Sequence, residues 1–199
     1  MKLFVRILSL KNIALNRSTP DEYLYGRSGY LFTLMFLRRE LGNEIVPTSL
    51  VTEVIKSTTI QDEWILFLSK IFEKIIQSGE NYARQIGSPS KLMFQWYRTE
   101  YLGAAHGVSG IVFLLLKILT EDSSLIHLRP YINSHLIPTI VYLETRRLPS
   151  GNFMSSNNDS SDQLVQWCHG APGFVYAFGQ AYQVNLNKKY RPSKSNLLT

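Results

Sequence analysis

Apolar residues recur at intervals of three and four along six stretches of the chain, and no stretch alternates for long with a period of two. Such spacing places apolar side chains on one face of a helix. The stretches are residues 30–41, 50–55, 64–76, 110–119, 131–143 and 173–182. Glycine, proline and clustered polar residues separate them at 42–47, 87–89, 149–152 and 155–162. The pattern predicts an all-α protein.

A short segment of the form Gly-x-x-Gly, followed at once by an apolar helix, occurs three times. The glycine pairs are Gly26 and Gly29, Gly107 and Gly110, and Gly170 and Gly173. Glycine permits tight turns and close approach of the backbone at a helix start. Three copies favour an array of repeated helical hairpins, each burying its apolar face against its neighbours. Unrelated tight turns before helices are the alternative.

The composition predicts that much of the surface of this chain is covered by another part of a larger protein. The chain has 199 residues, of which 45% are apolar, 12% aromatic and 18% charged. This apolar content can form a sizeable core, while the charged fraction is below the roughly 25% of typical globular proteins. The composition is therefore typical of a fragment of a larger protein.

A net charge of +6 raises the question of nucleic-acid binding. The basic residues are scattered, and their densest groups lie at 38–39, 146–147 and 188–194. A nucleic-acid interface requires a basic patch or stripe, commonly with interleaved aromatic residues. We therefore predict no nucleic-acid partner, and only a weak attraction for anions.

Cellular location is predicted from the single cysteine and the apolar runs. Cys168 has no second cysteine with which to form an intrachain disulfide, which fits a reducing compartment such as the cytoplasm. Residues 1–10 resemble the start of a signal peptide, but Arg6 interrupts them. The longest apolar run, 111–116, is far shorter than the roughly 20 residues of a membrane span.

Six segments carry a resemblance to a known family. They are residues 25–30, 78–84, 94–97, 103–107, 148–152 and the most specific of them, Trp-Cys-His-Gly-Ala-Pro-Gly at 167–173. In this order they resemble the eukaryotic lanthionine cyclase-like (LanC-like) proteins. The resemblance implies a partial (α/α) toroid of helical hairpins with Gly-rich inner loops, carrying the third to fifth repeat motifs. We expect a divergent segment at 1–20, the toroid domain at 21–183 and a disordered basic tail at 184–199.

The resemblance also implies an activity. Bacterial relatives add a cysteine thiol to a dehydroamino acid, and eukaryotic relatives bind glutathione and are thought to add it to dehydroalanine or dehydrobutyrine in proteins. Both use zinc, which stabilises the reactive thiolate. Cys168 is implied as one of three zinc ligands, the others being an adjacent Cys-His pair in a later motif that this chain lacks. His169 is expected to stay off the metal.

Zinc binding by this chain is expected to be weak or absent, because zinc sites in proteins need three or four protein ligands. A buried apolar thiol is the alternative role for Cys168. Leu164 stands where bacterial relatives carry an arginine, so that arginine's role is not carried over. Trp167 is expected to shield the substrate sulfur or to belong to the core.

Two further residues are candidates for catalysis. The resemblance implies that His106 lines the ring and protonates the enolate carbon or steadies the charge after sulfur attack. Glu22, four residues before Gly26, occupies the place of a bacterial aspartate proposed to act with that histidine. The alternatives are a satisfied core histidine and a carboxylate near a positive helix end.

The expected partners are glutathione and proteins or peptides that contain dehydroamino acids. A non-catalytic scaffold that binds glutathione or protein, peripheral at the plasma membrane, is the alternative function. Weak membrane association and self-association through exposed apolar edges belong to that alternative. A six-hairpin glycosidase is disfavoured because no motif carries a pair of carboxylates.

Overall fold

The computed structural model describes residues 6–41, apart from residue 8, and residues 60–187. The regular secondary structure of these residues is helical and includes no β-strand, which confirms the all-α prediction. The elements are α1 (Lys11–Leu15), α2 (Arg27–Leu41), α3 (Ile60–Gln85), α4 (Val108–Glu121), a 3₁₀ segment (Ser123–Leu128), a π-helical turn (Ile132–Leu136), α5 (Ile137–Glu144) and α6 (Ala171–Asn187).

Helix α4 is the centre of the fold. Ten of its fourteen residues are buried, so it is apolar on nearly every side. It packs against α2, α5 and α6, and its contact with α6 is the most extensive. The three helices that follow the Gly-x-x-Gly segments therefore lie side by side, with α4 in the middle. Helix α3 packs on α2, and α5 packs on α4 and α6.

The stretch predicted at 131–143 is interrupted rather than being a single α-helix. The N–H of Ile137 donates to the carbonyl of Ile132, five residues back, which defines a π-helical turn. Pro138 follows in the first turn of α5 and has no N–H to continue the regular ladder. The predicted helix at 50–55 lies outside the described residues.

The last helix extends beyond the boundary expected for the domain. Helix α6 ends at Asn187, so the first four residues of the expected disordered tail are helical. Residues 188–199 lie outside the described part of the chain.

Both glycines of every Gly-x-x-Gly segment face the carbonyl oxygen six residues earlier. A Cβ atom on the second glycine would lie 1.9–2.2 Å from that oxygen, with Gly29 facing Tyr23, Gly110 facing Ala104 and Gly173 facing Trp167. On the first glycine the same distance would be 2.2–2.6 Å. No side chain fits at such distances, so each loop folds back tightly onto the start of its helix.

Candidate functional site

The loops that precede α2, α4 and α6 adjoin one another in sequence order. The N–H of Tyr23 donates to the carbonyl of Ala105 at 3.3 Å. A Cβ on Gly103 would lie 2.1 Å from the carbonyl oxygen of Cys168, so the second and third loops also touch. Helices α2, α4 and α6, which lie side by side, are called the helical row below. The residues that directly precede the first glycine of each Gly-x-x-Gly segment lie together on one edge of this row; they are Tyr25, His106 and His169.

Glu22 and His106 are brought into direct contact at this edge. The Nδ1 atom of His106 lies 2.8 Å from Oε2 of Glu22. The carboxylate of Glu22 is 2% exposed, and it also accepts the N–H of Leu24 at 2.9 Å and the N–H of Tyr25. Since a carboxylate accepts and does not donate, Nδ1 carries the proton and Nε2 remains available to a substrate. The side chain of His106 is 22% exposed, so solutes can reach it.

Aromatic rings surround His106. The rings of Tyr25, Trp96 and His106 are parallel within 14°, and their centroids lie 5.8–6.3 Å apart. Tyr25 is 73% exposed. The histidine therefore lies within a flat-walled aromatic cluster that opens to solvent.

Tyr101 connects His106 to the third loop. Its ring centroid lies 6.1 Å from that of His106 and 5.5 Å from that of His169. Burial, followed by the neighbouring charge of His106, lowers the pKa of His169 below its usual value, while Asp159 opposes this shift. The Nδ1 atom of His169 is buried and has no hydrogen-bond partner within the described residues. His169 is therefore neutral at neutral pH.

Cys168 lies beside His169 as a partly exposed free thiol. Its Sγ atom donates to Oε1 of Gln166 at 3.4 Å. Nowhere in residues 6–41 or 60–187 are three or more histidine, cysteine or acidic side chains grouped to hold a metal ion. The chain has one cysteine and four histidines, all within these ranges, and His127 bonds instead to Ser69 at 2.9 Å. The residues that the structure describes therefore do not form a zinc site.

A buried ion pair fixes the loop that carries Glu22. Arg27 donates to Oδ1 of Asp21 at 2.5 Å and to the carbonyl of Ala14 at 2.9 Å, and its side chain is 2% exposed. Ser78 on α3 donates to the other oxygen of Asp21 at 2.6 Å. The sequence analysis did not predict this pair. Arg27, a cation at the first position of an apolar helix, was the feature that could have indicated it.

Asn152 attaches the third loop to its helix. In the first two repeats, the N–H after the first glycine donates to a backbone carbonyl seven residues earlier, at 2.9 and 3.1 Å. In the third repeat the N–H of Ala171 donates instead to Oδ1 of Asn152 at 2.7 Å. The amide of Asn152 donates to the carbonyl of Leu164 at 3.1 Å. This side chain explains why the 148–152 segment accompanies the glycine motif.

The family model described as lanthionine synthetase C-like protein matches residues 6–199. The chain belongs to this family. The glutathione S-transferase LANCL1 of Danio rerio is 34% identical to this LanC-like chain over 167 residues, which are 83% of the chain and 36% of that relative. The chain thus spans about a third of the relative's length. These matches confirm the resemblance expected from the motifs.

The residues singled out in this LanC-like chain occupy neighbouring loops. Glu22 and His106 contact each other directly, whereas Cys168 lies on the next loop, beside the His169 that contacts Tyr101. Trp167 is 39% exposed and contacts the ring of Tyr23 edge to face, so it is not wholly a core residue. No helix in the described ranges is long and apolar enough to cross a membrane.

Proposed function

We propose that this chain forms the proton-transfer part of a site that adds the thiol of glutathione to dehydroalanine or dehydrobutyrine residues of polypeptides. The Glu22–His106 hydrogen bond, in an exposed aromatic cluster, is the observation that carries this proposal. Glutathione is supported by the name of the relative from Danio rerio, a glutathione S-transferase. The acceptor class is supported by family membership.

The proposed addition balances without an oxidant, reductant or leaving group. Sulfur forms a bond to the β-carbon, the electron pair of the carbon–carbon double bond moves toward the carbonyl, and the α-carbon then takes a proton. His106 receives the thiol proton on Nε2 and returns it to the α-carbon. Glu22 holds the ring by Nδ1 and stabilises the imidazolium that forms between these transfers.

Zinc is part of this proposal only because the resemblance to the LanC-like family implies it. When bound, it would stabilise the thiolate of glutathione. Cys168 would contribute one ligand, because its thiol is partly exposed on the loop next to His106. Among the described residues no further ligands are grouped with it.

The helical row supports a further part of the proposal, that the chain forms an arc of a toroid. Helices α2, α4 and α6 adjoin in order, and each begins at the same glycine–carbonyl contact. Helices α3 and α5 pack on this row. Apolar residues remain exposed on α6, including Val175 and Tyr176, which provide an edge for self-association.

A non-catalytic scaffold that binds glutathione is the second candidate function. The observation that favours it is that the described residues contain no group of three or more histidine, cysteine or acidic side chains that could hold a metal ion. In this case the Glu22–His106 pair would bind a ligand without turning it over.

The decisive experiment incubates the 199-residue chain with glutathione and a dehydroalanine peptide, and follows the peptide mass. We expect faster addition than in buffer, and a loss of about a hundredfold in His106→Asn. His135→Asn is the matched control, because His135 bonds to Ser134 on the π-helical turn rather than to the site. Addition at the buffer rate, with glutathione binding retained in calorimetry, would establish the scaffold instead.

A further inference from the structure

Residues 95–100 form a tight hairpin beside His106. Trp96 and Thr99 exchange both backbone hydrogen bonds, at 2.9 and 3.0 Å. The two residues between them, Tyr97 and Arg98, have φ angles of 47° and 63°. Two-residue turns of this kind normally use Asn-Gly or Asp-Gly, because other side chains are disfavoured in the left-handed region. This turn therefore depends on contacts elsewhere to keep its shape.

Helix α3 supplies those contacts. The hydroxyl of Tyr82 donates to Oε1 of Glu100 at 2.5 Å and lies 3.0 Å from the side-chain amide of Gln95, so it contacts both arms of the hairpin. Burial and the Glu100 carboxylate raise the pKa of Tyr82 to about 12, which keeps the hydroxyl a donor. One turn earlier, a Cβ on Gly79 would lie 2.4 Å from the ring of Phe94, so only glycine allows that ring to seat on α3.

The hairpin positions the ring of Trp96 near His106. The two ring centroids are 5.8 Å apart, and the planes differ by 13°. The ring centroid of Tyr25 lies 6.3 Å from that of the same histidine, and the two ring planes differ by 10°. Tyr25 and the adjoining Tyr97 are 73% and 83% exposed. Exposed aromatic rings grouped around a histidine are typical of surfaces that a ligand covers.

We propose that Tyr25 and Trp96 form the subsite for the unsaturated residue of the acceptor polypeptide, with Tyr82 as the positioning residue for Trp96. This inference rests on the proposed function and names the side chains that contact the acceptor. Conjugation with the carbonyl makes a dehydroamino acid flat, whereas a saturated residue is tetrahedral at its α-carbon. Parallel aromatic faces stack on the flat group and present its α-carbon to His106.

The test measures binding without glutathione, by calorimetric titration of the chain with a dehydroalanine peptide and with the same peptide carrying alanine. We expect tighter binding of the unsaturated peptide. Trp96→Leu and Tyr25→Leu each reduce this preference by about three- to tenfold. Tyr82→Phe keeps its ring and reduces the preference in the same direction. Tyr182→Leu removes a side chain that is 65% exposed on α6, and it leaves the preference unchanged.

Equal affinity for the two peptides, or an unchanged preference in both leucine variants, would overturn the subsite. Tyr25→Leu keeps the test decisive if Trp96→Leu does not fold, because Tyr25 is largely exposed. Since no thiol is present, binding is independent of the addition reaction. If the chain prefers the dehydroalanine peptide through Trp96 but does not catalyse thiol addition, the proposed function alone is contradicted. If the chain catalyses thiol addition but its preference is unchanged in Trp96→Leu, the subsite alone is contradicted.

Discussion

The carboxylate of Glu22 holds the ring of His106 across a sequence separation of 84 residues, through a hydrogen bond of 2.8 Å. The two residues lie on the loops of consecutive repeats, and the carboxylate is fixed by the backbone N–H groups of its own loop. The pair therefore forms only when the first two loops adjoin. Its orientation is set by packing of the helical row rather than by either loop alone.

Glu22→Gln tests the charge of this pair while retaining its shape. We expect thiol addition to fall by about ten- to a hundredfold, less than for His106→Asn, because the ring stays in place but its cation is no longer stabilised. The addition assay by mass spectrometry measures this loss. Glu80→Gln is the control, because Glu80 pairs with the exposed Arg84 on α3. An unchanged rate in Glu22→Gln would remove Glu22 from the reaction.

Stability should depend on pH through His169. Burial lowers the pKa of this residue below the usual 6.5, so the unfolded chain binds more protons there than the folded chain as pH falls through 6.5. The stabilising effect of the neutral ring is therefore present above pH 6.5 and lost below it. We expect the melting temperature to fall less between pH 7 and pH 5 in His169→Gln than in the unaltered chain. Equal decreases in circular-dichroism melts would contradict this.

The glycine–carbonyl contact predicts opposite effects for two glycines of α6. In Gly173→Ala the new methyl group would lie 2.2 Å from the carbonyl oxygen of Trp167, and we expect a loss of about 1–3 kcal/mol in the free energy of unfolding. Gly179 has nothing within 4 Å of its Cβ position. Gly179→Ala should therefore stabilise the chain by about 0.5–1 kcal/mol. Urea denaturation measures both, and equal effects would refute the contact.

The buried ion pair predicts a large effect at Arg27. Arg27→Met leaves the carboxylate of Asp21 without its cation, and we expect a loss of about 3–5 kcal/mol in unfolding free energy. The matched variant is Arg39→Met, in which a side chain that is 57% exposed loses its pair with Glu40. That change should stay within about 0.5 kcal/mol. Similar losses in the two denaturation curves would contradict the role of burial.

Zinc content provides a separate test of the ligand set. We expect elemental analysis of the purified chain to find less than one zinc per chain, since Cys168 is its single cysteine and no metal-binding group forms in the described ranges. Stoichiometric zinc that disappears in Cys168→Ala would contradict this expectation. The solution mass of the same sample would then show whether a second copy completes the site.

The sequence pattern located the helical row well, because α2, α4 and α6 have long apolar faces. It placed the start of α2 three residues late, at Tyr30, because the preceding Arg27 and Ser28 are polar. Both are nevertheless buried, and tertiary hydrogen bonds satisfy them. Local pattern carries no information about such distant partners. The same limit applies to the site, where Glu22 and His106 were named by resemblance but their contact depends on packing.

The hairpin beside the site was not predicted, for a local reason. Its turn residues, Tyr97 and Arg98, carry none of the glycine or asparagine signals by which such turns are identified in a sequence. Helix α3, which precedes the hairpin in the chain, provides the hydrogen bonds of Tyr82 and the position at Gly79 against which the ring of Phe94 packs. The motifs at 78–84 and 94–97 thus act together, which their separate appearance in the sequence conceals.

Hydrogen bonds from α3 connect this helix to the edge of the fold that carries His106. Ser78 bonds to Asp21 next to Glu22, and Tyr82 bonds to the hairpin that carries Trp96. Two neighbouring turns of one helix therefore set the spacing between the two sides of the aromatic cluster. A displacement of α3 along its axis would therefore change the separation between the loop of Glu22 and the hairpin of Trp96, although α3 itself lies outside the aromatic cluster.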